Sequence, residues 1–331
     1  TQSTPGWGLW MRGQTGGPTS QRSVTRHANH ARRMTAVPEV FMGLNAIDLL
    51  VTGPLCVSVQ PANVTATGMD VRFTTRNSSL VWSAGAAWLA FVPTPGGVPP
   101  AMQTGRVLCD ANAAGYRLHE AVPAGAGGGP REHVCRVAFP RPFDARNGLP
   151  VVVPVVAGLC APARAWLRLR VGAADVRPDG FTLHVTTWGD STLDQVTVAW
   201  LAYSADVAAG AAGGRIVSSA VPCMNTSPAF SVAVGKGPRD FVQRAGFGPV
   251  PFVDDPEVVT FLSGMEISTR TDVRLKAVER ARTRAGCDLV FGTWADTSVL
   301  GGDITWIAFL DSTGAAAHAG SNNGFGGGNG M

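Results

Sequence analysis

Lysine is nearly missing from this chain: of 27 basic residues only Lys236 and Lys276 are lysines. With 41 glycines and abundant alanine, that skew reads as coding bias rather than chemistry. Charge is scarce as well. Charged residues make up 15% of the 331 and the formal net charge is +4, too little for the basic stripe of a dedicated nucleic-acid binder. No apolar run reaches the roughly 18 residues of a membrane span. Leu149 to Gly158 comes nearest and is interrupted by Pro154. The chain contains no Cys-x-x-Cys and no Gly-x-Ser-x-Gly, its six histidines lie outside metal-ligand spacings, and the Gly326 to Gly330 run is not followed by Lys-Ser/Thr. These absences argue against zinc ribbons, a serine-hydrolase elbow and a phosphate loop, so the expectation is no enzyme, no cofactor and no metal. Thr1 opens without a signal-peptide pattern, which reads as a mature or cut chain.

What is present is a repeat. At 45% hydrophobic the chain can bury real cores. Gly180 to Tyr203 holds two runs of period two, Phe181, Leu183, Val185 and then Val196, Val198, Trp200, around the polar Trp188-Gly189-Asp190-Ser191. That pattern reads as a pair of antiparallel strands joined as a hairpin. An earlier copy runs from Gly68 to Trp88 and a later one from Gly286 to Trp306, so Gly to Trp spans 20 residues each time. The copies recur after 112 and then 106 residues (180 − 68 and 286 − 180), which is the size of a small domain rather than a solenoid unit. Each copy proper opens at a proline, Pro38, Pro150 and Pro256. With the strands before it, one repeat contains about six strands. The boundaries expected are 1–105, 106–213 and 214–312 for the three repeats and 313–331 for a Gly-rich, flexible tail. Residues 1–37 carry Trp7, Trp10 and a basic stretch with His27 and His30, read as a solvated strand.

Six cysteines permit 15 pairings, of which Cys223 with Cys287 inside the third copy is one expectation. Sequons at Asn63, Asn77 and Asn225 fit a secreted or cell-surface glycoprotein.

The order Pro-x-Val, Leu-Arg-Val, Thr-Gly-Phe, Thr-Trp-x-Asp/Asn-Thr and Trp-Ile/Leu-Ala, its order and spacing met in three copies, resembles the H-type lectin domain of snail agglutinin and the C-terminal domain of discoidins. The resemblance covers nearly all of the chain except both ends. It implies an all-β chain of three tandem six-stranded antiparallel β-sandwiches packed as a single-chain pseudo-trimer. It also implies galactose or N-acetylgalactosamine sites in grooves between repeats. Carried over, the site residues are Arg168, Trp188 and Asp190 in the second copy and Arg274, Trp294 and Asp296 in the third, with Glu132 and Asp240 as acidic contributors from the Gly-Pro region. A guanidinium donates to hydroxyls, a carboxylate accepts from them, and an indole covers the apolar face of a sugar ring. The first copy departs from the pattern: Cys56 stands where Arg would be and Arg76 where Trp would be, with Asn77 in a sequon, so no site is expected there. Gly189 and Ala295 follow the two loop tryptophans and would widen the pocket.

Each of these residues has a plainer reading. Trp88, Trp200 and Trp306 recur on an apolar strand and fit a core. Arg168 and Arg274 fit an inter-repeat salt bridge as well as a ligand, and Asp190 and Asp296 fit turn closure. Two functions follow: a lectin with at most two sites, whose partners are galactose-type glycans or glycoproteins, or a structural subunit of an extracellular assembly that binds other protein chains.

Overall fold

The structure is a computed structural model that describes residues 22–30, 33–76, 78–93, 100–121, 128–163, 166–209, 215–224, 238–310 and 318–321. Asn77 and Asn225, together with Trp7 and Trp10, lie outside them. The first repeat supplies β1 (Arg22–Asn29), β2 (Glu39–Leu50), β3 (Leu55–Ala62), β4 (Gly68–Thr75) and β5 (Leu80–Phe91). The second supplies β6 (Met102–Asp110), β7 (Arg131–Ala138), β8 (Val151–Ala161), β9 (Trp166–Arg177), β10 (Gly180–Thr187) and β11 (Gln195–Tyr203). The third supplies β12 (Arg215–Met224), β13 (Arg239–Gly246), β14 (Glu257–Ser268), β15 (Val273–Thr283), β16 (Gly286–Thr293) and β17 (Val299–Leu310). Within the stretch read as a Gly-rich tail, His318–Ser321 form β18.

Strand alternation is clearest in β4 and β10, where Met69, Val71 and Phe73, and Phe181, Leu183 and Val185, point inward and every intervening side chain points out or sits half-buried. The strand that follows each of them is not its hairpin partner. β10 pairs with β7 and β9, whereas β11 pairs with β6 and β8. The Trp188 to Ser191 connection therefore arches from one sheet of the sandwich to the other, and the hairpin expected over 180–203 is corrected. Alternation reports which face is buried, and two strands facing each other across a core alternate just as two neighbours in one sheet do.

Three antiparallel six-stranded sheets result, with strand orders β1-β4-β3-β8-β11-β6, β7-β10-β9-β14-β17-β12 and β13-β16-β15-β2-β5-β18. Two of the sheets take three strands from one repeat and three from the next, and the third takes three from the third repeat, two from the first and β18. A sandwich is thus two half-sheets, each continued into a different neighbour, and the three lobes close into a ring. β18 pairs with β5, filling for the first repeat the place that β6 and β12 fill in the others. The chain's last described strand closes the ring on its first repeat.

β2, β8 and β14 are buried along nearly their whole length. One face serves the lobe's own core and the other meets its two counterparts at the pseudo-threefold axis, so these strands read as continuous apolar runs. Phe41, Leu89, Val155, Leu201, Phe261 and Ile307 belong to this axial cluster, and all are fully buried. Trp88, Trp200 and Trp306 are buried inside the lobes. Trp200 lies edge-on to Phe181 at 5.7 Å between centroids.

Candidate functional site at the seams

The arch loop is built the same way three times. Thr75, Thr187 and Thr293 end their strands buried and donate to the carbonyls of Cys56, Arg168 and Arg274 at 2.6, 2.7 and 2.7 Å. Arg22, Arg131 and Arg239, the first residues of β1, β7 and β13, reach across to the carbonyls of Ser79, Ser191 and Thr297. The hydroxyls of Ser79 and Ser191 accept from the backbone N–H of Cys56 and Arg168, each at 2.9 Å. These bonds satisfy buried backbone groups at the sandwich edge and fix each loop over the seam strand beside it.

At the seam between repeats two and three, Arg168 on β9 stands opposite Glu266 on β14. Its Nε donates to Glu266 Oε1 at 2.8 Å and its Nη1 to Asp190 Oδ1 at 2.6 Å. Its guanidinium carbon lies 4.9 Å from the centre of the Trp166 ring. Trp188 is half-buried, with the Arg170 guanidinium 5.8 Å from its ring centre. At the seam between repeats three and one, Arg274 on β15 stands opposite Asp48 on β2. It donates to Asp296 Oδ1 at 2.7 Å and Asp272 Oδ2 at 2.6 Å, and its Nε lies 3.4 Å from Asp48 Oδ1. Burial pushes the Asp48 carboxyl up to about 6; Arg274 opposes the shift and the Asp272 carboxylate adds to it.

The two arginine side chains are 13% and 15% exposed, whereas Asp190 and Asp296 are 52% and 61% exposed. Each of these two seams therefore presents a solvent-facing carboxylate clamped from behind by a mostly covered guanidinium, in a loop whose tryptophan is half-buried. Of the two readings of Arg168 and Arg274, inter-repeat salt bridge and ligand contact, the salt bridge is present in both, and each arginine also holds the aspartate of its own loop. Gly189 has φ 62° and a Cβ there would come within 2.4 Å of Arg168 Nη1, so the missing side chain makes room for the arginine. Ala295 occupies the same left-handed conformation at φ 53°.

The neighbour's carboxylates at these seams are Glu266 and Asp48, which the sequence reading did not single out. Glu132 instead accepts from the outer strand residues His184 (Nδ1, 2.8 Å) and Thr186 of its own repeat. Asp240 pairs with Arg280 at 2.9 Å and Lys276 at 3.4 Å, also within one repeat. Asn63 is exposed and its amide donates to Asp70 at 2.7 Å.

The first seam is different. Cys56 on β3 stands opposite Cys160 on β8, and the two form a disulfide with a Cα separation of 4.1 Å. Beside it lies a cavity of about 250 Å³ lined by Arg76, Asp110, Asn112, Cys160 and Asp194 among others. Cys223 and Cys287, the pairing expected from the sequence, are both free and buried, on strands of opposite sheets.

Fold and seams define a single-chain, three-lobed ring of β-sandwiches with polar loops at the lobe boundaries. The family model of the H-type lectin domain matches residues 27–91 and 134–203, and so supports carbohydrate binding in general. A protein of Fuscovulum blasticum, "ATP synthase subunits region ORF 7", is 34% identical over 76 residues, which are 23% of this chain and 64% of that protein. Two structures of discoidin II from Dictyostelium discoideum, one recombinant and one wild-type, match at 14% identity and a TM-score of 0.26, over 49% of this chain and 72% of theirs.

Proposed function

We propose that this protein is a non-catalytic, secreted or cell-surface lectin that takes one galactose-type or N-acetylgalactosamine-type residue at each of two seams. The observation that carries the reading is the recurrence of one pair, Arg168–Asp190 and Arg274–Asp296, at 2.6 and 2.7 Å, each carboxylate two residues after a half-buried loop tryptophan. In each, the exposed carboxylate accepts from adjacent sugar hydroxyls. The clamped guanidinium holds it in one orientation, and the indole offers an apolar surface. Because the carboxylate is held before ligand arrives, little side-chain entropy remains to be lost on binding.

A second reading, a structural subunit that docks other protein chains, draws support from the first seam, where a disulfide occupies the arginine's position. Glycan-array screening followed by calorimetry separates the two. The lectin reading expects binding of galactose-type sugars with two sites per chain, one lost in Asp190→Asn and the other in Asp296→Asn. Absence of binding to any such glycan would overturn it in favour of the subunit reading, and undiminished binding by the double variant would overturn the assignment of the sites to these two seams.

A further inference from the structure

Among the described residues, the second repeat carries a cluster that the other repeats lack and that the seam sites do not use. Cys109 on β6 and His133 and Cys135 on β7 point inward between the two edge strands of that lobe. Their ligand atoms all lie within 4.8 Å of one another. Cys109 and His133 are buried and Cys135 is half-buried, which leaves a way in from solvent. Both thiols are free. A ring N–H of His133 donates to the Gly115 carbonyl, and a ring nitrogen lies with both sulfurs in the cluster. The loop that supplies Gly115 is itself fixed, since Tyr116 is buried, donates to the Leu193 carbonyl at 2.7 Å and packs edge-on against His133 at 5.2 Å.

The fold does not require these residues. Strand register puts His133 opposite Val185, as it puts Phe241 opposite Phe291 and Val24 opposite Phe73. By the same register Cys135 corresponds to Gln243 and Arg26. Cys109 corresponds to Cys223, each pairing with the residue four before the core tryptophan. So the third repeat folds with Cys, Phe and Gln where the second places Cys, His and Cys.

We infer that Cys109, His133 and Cys135 bind one thiophilic divalent cation of the zinc class. Two thiolates and an imidazole are the donors such an ion prefers, and a half-open tetrahedral site leaves its fourth position to water. The Gly115 carbonyl is the outer partner that fixes the ring's tautomer. Both thiols release their protons to solvent as the metal enters. The ion would tie the two sheets of the lobe together at the edge that β6 and β7 leave open.

The test is anaerobic titration of the phosphine-reduced full chain with cobalt(II), then displacement by zinc. The variants His133→Phe and Cys135→Gln install the residues that the third repeat carries, and the second keeps the test decisive should the first misfold. Expected are one cobalt per chain, a thiolate-to-cobalt charge-transfer band, and a rise in melting temperature with zinc. Affinity falls at least tenfold in His133→Phe, and the band is lost in Cys135→Gln but kept in Cys56→Ser/Cys160→Ser. No band, a band that survives Cys135→Gln, or a band that disappears with Cys56 and Cys160 overturns the inference. So does non-reducing peptide mapping of the native protein that finds Cys109 joined to Cys135.

Discussion

Cys56 and Cys160 face each other across the first seam at the strand register where Arg168 faces Glu266 and Arg274 faces Asp48. Three equivalent positions thus hold one covalent tie and two ionic ones. The disulfide encloses a long segment, its halves 104 positions apart in the chain, so in the chain-entropy account its loss costs about 4.7 kcal/mol. Cys56→Ser/Cys160→Ser is expected to unfold at lower denaturant with a steeper slope, since the unlinked unfolded chain exposes more surface, and non-reducing peptide maps of the wild type should link these two cysteines. Equal stability of the two proteins would mean that the seam is held by its backbone pairing alone.

Asp48 ties the stability of the third seam to pH. Its carboxyl is raised to about 6 from an ordinary 3.8, so between those values the folded chain holds the proton more tightly than the unfolded one. Stability should therefore fall as pH rises from about 4 to about 6, by up to about 3 kcal/mol at roughly 1.4 kcal/mol per pH unit, and level off above. Asp48→Asn, which keeps an oxygen acceptor for Arg274, should flatten that slope. Urea unfolding at half-unit pH steps measures it, and an unchanged slope in the variant would assign the effect to another group.

Arg168 holds two carboxylates, and removing it leaves Glu266 largely covered without its partner. Arg168→Ala should cost about 3 kcal/mol, Glu266→Ala less, and the double variant less than the sum, with a coupling energy of about 1–3 kcal/mol. Simple additivity in a double-mutant cycle would show that the pair contributes nothing across the seam.

Much of this was readable in the chain. The fixed interval from Gly68 to Trp88, repeated twice, revealed three β units, and the structure pairs Arg168 with Asp190 and Arg274 with Asp296, residues the repeated motif singled out. The arch was hidden because period-two burial does not say which sheet a strand joins. The seam carboxylates left a signal that went unused: Asp48, Cys160 and Glu266 each stand ten residues after the proline that opens their copy, and Cys56, Arg168 and Arg274 each stand eighteen after it. Only the pairing of one repeat's position eighteen with the next repeat's position ten turns those offsets into contacts, and that pairing is a property of ring closure. The Cys109–His133–Cys135 cluster was invisible for a related reason, since its ligands come from two facing sheets and match no linear spacing.

At the pseudo-threefold axis the three repeats place residues of unequal size at one position, five after the opening proline: Gly43, Val155 and Phe261. A Cβ on Gly43 would lie 2.6 Å from Val155 Cγ2 and 3.0 Å from Phe261 Cδ1, while the Phe261 ring packs 5.0 Å from that of Phe41. The axis is thus filled by complementary volumes, and symmetry in sequence would overfill it. Phe261→Ala should cost about 3–5 kcal/mol by leaving a cavity, and Gly43→Ala about 1–3 kcal/mol by overpacking. Gly43→Ala combined with Val155→Ala should recover part of the loss, because the second change removes the methyl that the first one meets. Urea unfolding of the four proteins decides the matter: full additivity of Gly43→Ala and Val155→Ala would mean that the lobes yield at the axis instead of meeting there as a close-packed core.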